Sequence, residues 1–308
     1  MDKPFKTIDE QIAILNSRNV LTDYKTGRVL KREGYYSVVN GYKDLFLDKQ
    51  KTNSSGNDVY IEGTKFSEIY DLFCFDRNLR MSLFRYFFVA EATLKTVCAY
   101  QFSREYKSES EAYLNKCNYT NDKKLQPNIE RLIEDFKIAL DRHPYKKPRY
   151  KSYMKHYIDN HDEVPLWVVT NYLTLGQIFK FYCFQKESLR NKIAKNFSDL
   201  YSETHDRPVK IHDRDLRLIY DHIKDFRNIC AHDERLFCAK VSPSRDTPIA
   251  SVIKDLKKVL TKEETIHMEH DIVNLLLSLS NKVHITVFEK VLKEMGINSL
   301  DEVFAIAE

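Results

Sequence analysis

Two observations predict a mainly α protein, a helical bundle with additional helices at its N- and C-terminal ends. The first is apolar spacing. In residues 66–106, Phe66, Ile69, Tyr70, Phe73, Leu79, Leu83, Phe84, Phe87, Leu94 and Val97 recur every three or four positions, the period of one helix face. The second is the scarcity of glycine, at 7 of 308 residues, which disfavours a fold built on many tight hairpins. It also disfavours glycine-rich phosphate loops, and neither GxGxxG nor GxxxxGK followed by Ser or Thr occurs.

From the N-terminus, residues 5–20 place Phe5, Ile8, Ile12, Ile14 and Leu15 among charges and predict a first helix, capped by Thr7 or Asp9. Residues 31–46 read as turn-rich, punctuated by Gly34 and Gly41, and 51–63 as a polar loop. The 66–106 pattern fits one long helix or two. A polar stretch from 117 ends at Pro127, and a helix is expected over 128–141. In 142–165, Pro144 and Pro148 interrupt a run of Lys, Arg, His and Tyr. Helices are expected again at about 166–200, 212–231, 262–278 and 280–295, with SPSRDTP (242–248) a loop. No internal repeat of structural size is visible. The chain is thus expected to be one unit: an N-terminal segment to about residue 65, a helical core over about 66–240, and C-terminal helices from about 241.

Composition narrows the function. Hydrophobic residues at 43% and charged residues at 31% make an ordinary globular balance and exclude a wholly disordered chain. A net charge of +4 permits a nucleic-acid partner without requiring one. The 6 cysteines form no CxxC pair, so buried thiols in a reducing compartment are expected rather than a disulfide scaffold or a metal site. The start, MDKPFKTIDEQ, lacks the apolar run of a signal peptide, and no stretch approaches the roughly 20 apolar residues of a membrane span. A cytoplasmic protein with no membrane partner is expected.

The segment DFRNICAHDERLF (225–237) carries the candidate chemistry. Arg227 offers a permanent cation with a forked donor set suited to phosphate. His232 belongs to the side-chain type that exchanges protons near neutral pH. RNA brings its own nucleophile, the 2′-hydroxyl. Cleavage therefore needs a proton acceptor, a phosphate clamp and in-line geometry, and no cofactor or metal is called for. An Arg followed by a His with four to six residues between them also occurs at Arg149/His156, Arg207/His212 and Arg217/His222, so spacing alone does not single the segment out. Its context does: a polar residue follows the Arg, a small Ala precedes the His, and the segment closes an amphipathic helix. Asn228 and His232, four apart, share a face. Arg227 and His232, five apart, diverge by about 140° on a regular helix. They meet on one phosphate only if the helix ends or bends near Ala231; otherwise a second copy completes the site, and a symmetric homodimer is the natural arrangement.

RNICAHDERLF closely resembles the RNxxAHxxRL signature of the Abi-like abortive-infection proteins, near AbiF and AbiD, within the HEPN superfamily of α-helical ribonucleases. Three further blocks match in order: GYYSVVNGYKDLF (34–46), FSEIYDLFCFDRNLR (66–80) with Glu91 and Lys95, and PLWVVTNYLTLGQIFKFY (165–182). One departure is visible: the segment ends RLFC, where the family often has Arg-Leu-Trp-Asn. Phe237 can replace the aromatic packing, whereas Cys238 cannot mimic asparagine's hydrogen bonding.

The resemblance implies a HEPN-type bundle and a dimeric, metal-independent endoribonuclease toxin of antiphage defence. Its products would be a 2′,3′-cyclic phosphate and a 5′-hydroxyl. It also implies a structured noncoding RNA acting as antitoxin. By the same resemblance, His232 is the general base or acid, Arg227 stabilises phosphate charge, and Asn228 orients the His or a phosphate oxygen. Arg77, Arg80 and Glu91 are expected behind the motif as support. Separately, Lys146, Lys147, Arg149, Lys151 and Lys155, interleaved with tyrosines that include Tyr150, form a candidate grip on RNA backbone and bases. The competing reading is a catalytically silent module that binds a structured RNA.

Overall fold

The computed structural model describes residues 4–146, 152–161, 163–242, 244 and 246–298. The chain is mainly helical, as the spacing predicts. The helices are α1 (Ile8–Ser17), α2 (Thr26–Glu33), α3 (Lys49–Ser55), α4 (Phe66–Glu105), α5 (Gln126–Ala139), α6 (Ser152–Asn160), α7 (Leu166–Val169), α8 (Leu175–Cys183), α9 (Glu187–Thr204), α10 (Asp213–Ala231), α11 (Ile249–Leu256), α12 (Lys262–Ser280) and α13 (Ile285–Met295). One short hairpin pairs β1 (Lys240–Val241) antiparallel with β2 (Thr247–Pro248), Lys240 opposite Pro248. Among the described residues, no helix is long and apolar enough to cross a membrane.

Local chemistry explains most boundaries. Thr7 caps α1 in a reciprocal box: its hydroxyl accepts the Glu10 amide at 3.3 Å, and the Glu10 carboxylate accepts the Thr7 amide at 2.7 Å. The 66–106 pattern is a single helix, α4, which buries Ile69, Leu72, Leu79, Leu83, Phe87, Ala90 and Leu94. The structure corrects three expectations. Residues 49–55 are helical rather than loop, because Asp48 accepts the Lys51 amide and Gly56 closes the helix at φ 69°. Residues 152–160 form helix α6 inside the stretch read as proline-interrupted, while α7, α8 and α9 fill the helical stretch expected from about 166, with Thr174 and Gln177 forming a second capping box at the start of α8. An eight-residue helix, α11, comes after the 242–248 loop, where no helix was expected.

The chain forms two compact units, one of residues 1–84, 228–251 and 266–308, the other of 85–227 and 252–265. In the first, Tyr42 packs edge-on to Phe73 at 5.5 Å and stacks on Phe237 at 6.0 Å. Gly296 ends α13 at φ 81°, where an added Cβ would run into Pro248. Gly296→Ala is therefore expected to cost about 1–3 kcal/mol in a denaturant melt, combining left-handed strain with the clash. Gly56→Ala has the same sign of φ but open space around it, and should cost less.

In the second unit, Phe181 sits among Phe102, Tyr119 and Phe136 at centroid distances of 5.2, 6.0 and 6.1 Å. Helix α10 is pinned there by two buried links. Asp213 at its start accepts from the Tyr182 hydroxyl at 2.8 Å and from Arg190 at 3.1 Å, and the Tyr220 hydroxyl donates to the Ala90 carbonyl of α4 at 2.8 Å. His222 pairs with Asp255 of α11 at 2.7 Å, a structural role for that histidine.

Candidate functional site

The motif DFRNICAHDERLF closes α10 and turns sharply. The helix stops at Ala231, and Asp233 takes the left-handed conformation at φ 56°. The Asp233 amide bonds the Cys230 carbonyl, and the Glu234 amide reaches back to the Ile229 carbonyl at 3.1 Å. This paired closure satisfies the last carbonyls of the helix, with aspartate in the position glycine usually fills. His232 is the cap residue, and its own amide still bonds the Asn228 carbonyl at 3.0 Å. The His232 ring and the Asn228 amide are exposed, and neither side chain takes a hydrogen-bond partner among the described residues.

The turn after His232 is held from behind. Arg80 of α4 donates to the Asp233 carboxylate at 2.6 Å and to the Glu234 carbonyl at 3.1 Å. Its guanidinium is itself held by Asp76, one turn earlier, at 2.6 Å. Asp76 is fully buried and collects every nearby donor: the Tyr42 hydroxyl at 2.7 Å, the Leu236 amide at 3.1 Å and the Phe237 amide at 2.8 Å. Burial pushes its carboxyl above the usual carboxylate range, against the downward pull of Tyr42, Arg80 and the two amides. The same burial raises the Tyr42 phenol, with the Asp76 charge adding to it. Arg235 completes the seat by donating to the Gly41 carbonyl at 2.7 Å. The motif's Arg-Leu-Phe is thus a docking strip, and Phe237 supplies the expected aromatic packing. Cys238 is half-buried, its thiol pushed up to about 11 by burial, so it is a neutral lining group.

In the second unit, Arg227 is three-quarters buried and lies 3.9 Å from Glu91 of α4. The other oxygen of Glu91 accepts Lys95, one turn on, at 2.7 Å. Glu91 therefore sits with two cations, and the trio carries a net positive charge.

The expected supporting residues separate. Arg80 seats the turn after His232, and Glu91 meets Arg227. Arg77 pairs instead with Glu33 of α2 at 2.7 Å and lies over the Phe73 ring at 4.4 Å. Of the basic segment, Lys146 and Lys155 are exposed, and Lys155 lies 3.4 Å from Asp159. Lys147, Arg149, Tyr150 and Lys151 lie outside the described residues.

Sequence reasoning missed Asp76, the centre of the seat. A signal was present: Asp76 falls at helical spacing with Leu72, Phe73, Leu79 and Leu83, so a carboxylate lay on the buried face, four residues before an arginine.

Neither the curated proteins nor the solved structures give a match. A family model described as Abi-like protein matches residues 28–238, a span that takes in all four motif blocks from GYYSVVNGYKDLF to RNICAHDERLF. That span covers well over half of the chain, and the protein belongs to the Abi-like family.

Proposed function

We propose that this protein is a metal-independent endoribonuclease of abortive-infection defence, acting as a homodimer. Family membership points to abortive infection. The reading that it cuts RNA rests on one observation: the motif terminates α10 so that His232 and Asn228 stand exposed on a turn fixed from behind by Arg80 and Asp76. An exposed imidazole on an immobilised backbone is what proton transfer to an external substrate requires.

The 2′-hydroxyl of the RNA is the nucleophile. His232 takes its proton, the 2′-oxygen bonds to phosphorus, and the bond to the 5′-oxygen breaks. The leaving oxygen collects a proton from a second imidazole, and the products are a 2′,3′-cyclic phosphate and a 5′-hydroxyl. Arg227 stabilises charge on the phosphate, and Asn228 orients the imidazole or a phosphate oxygen. The motif presents one imidazole, at the end of α10. Two copies supply the missing complement, the partner subunit's His232 serving as the acid. The basic segment around Lys146 and Lys155 contacts RNA, including a structured noncoding RNA that restrains the enzyme.

Mixing parent and His232→Ala chains tests this arrangement. Verified mixed dimers are expected to be inactive, because the shared site then lacks one of its two imidazoles. Half of the parent activity in those mixed dimers would mean that each chain builds its site alone.

A further inference from the structure

Helix α7 carries three buried side chains and one exposed ring. Leu166, Val168 and Val169 are buried, whereas Trp167 is 58% exposed. The segment entering α7 is clamped: the Val164 amide donates to Glu111 at 3.0 Å, and its carbonyl accepts the Tyr113 hydroxyl at 2.6 Å. Trp167 is therefore held outward by a fixed backbone. It is also the wall shared by two hollows along α4, one of about 520 Å³ and one of about 310 Å³.

The larger hollow brings Trp167 together with Phe88 and Tyr100 of α4, 53% and 60% exposed. Lys95 and Glu91 line it as well, so it includes part of the trio that contains Arg227. The smaller hollow adds Lys107 and the half-buried Tyr106, but also the carboxylates of Glu109, Glu111 and Glu163, so the cationic end of the track is the larger hollow. Exposed aromatic rings beside cations, along one concave track, are the combination that holds unpaired nucleic acid: charge follows the backbone and rings stack the bases. A second copy of the chain fits this surface less well, because charged groups are depleted from the centre of protein interfaces.

We propose that this groove binds single-stranded RNA, with unpaired bases stacking on Trp167 and its neighbouring rings while the adjoining phosphate meets Lys95 and Arg227. The proposal rests on the RNA-cleaving reading and identifies the substrate as unpaired rather than duplex RNA.

Trp167 is the chain's single tryptophan, so intrinsic fluorescence reports on this place alone. The experiment titrates full-length protein with a fluorescein-labelled 2′-O-methyl oligonucleotide, which cannot be cut, and tracks tryptophan emission and probe anisotropy together. The expected result is saturable quenching that parallels the anisotropy, with an unlabelled 2′-O-methyl duplex of the same sequence giving neither quenching nor competition. Trp167→Ala should weaken binding by roughly 5- to 100-fold, and Trp167→Phe should restore most of it. Far-ultraviolet circular dichroism of both variants checks folding.

Binding without quenching, with unchanged affinity in Trp167→Ala, would overturn the groove, even if the corresponding RNA is still cut. Quenching with no cleavage of that RNA would uphold the groove and remove the ribonuclease reading. No binding at all would overturn the groove. So would emission that depends on protein concentration alone, with Trp167→Ala turning a dimer into a monomer, since the surface would then be a self-interface.

Discussion

Asp76→Ala is expected to cost about 3–5 kcal/mol of stability, the largest loss expected of any single substitution in the seat of the motif turn. The alanine would leave the Arg80 guanidinium buried without its carboxylate and would orphan the Leu236 and Phe237 amides and the Tyr42 hydroxyl. Each unmet buried donor carries its own desolvation cost. Asp76→Asn keeps the volume and some acceptor capacity and should lose less. Chemical denaturation measures the cost, and hydrogen exchange at Leu236 and Phe237 measures its location. Arg77→Ala is the internal comparison: its pair with Glu33 is partly exposed, and pairs of that kind are worth about 1 kcal/mol or less. Equal losses from Asp76→Ala and Arg77→Ala would contradict the seat described for the motif turn.

His232→Ala is expected to do the reverse, leaving stability within about 0.5 kcal/mol of the parent while removing cleavage by about 10²–10⁴-fold. The ring is exposed and takes no partner among the described residues, so its loss opens no cavity and orphans no buried group. A melt beside a cleavage assay separates the two substitutions. In the proposed mechanism, Asp76→Ala acts on the fold that presents the imidazole, and His232→Ala acts on the proton transfer itself. A destabilised His232→Ala protein would give the histidine a structural role that the turn does not show.

The sequence makes some of this legible and hides the rest for physical reasons. Helices α4 and α10 are readable because each buries one face, so apolar residues mark a three-to-four period. The Arg80 and Glu91 expectations come from the block resemblance, and the structure gives each a partner near the motif. Arg77 is the contrast: it shares that block, yet it faces Glu33, a residue 44 positions away that no local pattern reveals. The breaks between α7, α8 and α9 are hard to place because apolar residues continue across them; the cap made by Thr174 and Gln177 marks the start of α8. Helix α3 is hidden by its polarity, for it buries no residue and depends on its caps. The groove at Trp167 is absent from periodicity altogether. It exists because one residue of a four-residue helix faces outward, which only the backbone course decides.

If His232 drives RNA cleavage by the 2′-hydroxyl route, the cut RNA carries the chemistry of that route at its ends. The most direct measurement is the end chemistry of RNA incubated with nucleic-acid-free protein in EDTA, parent beside His232→Ala. The parent is expected to leave 2′,3′-cyclic phosphate and 5′-hydroxyl ends, and the variant to leave the RNA uncut. Cyclic ends from both proteins at the same rate, or no cleavage by the parent dimer, would contradict that role for His232.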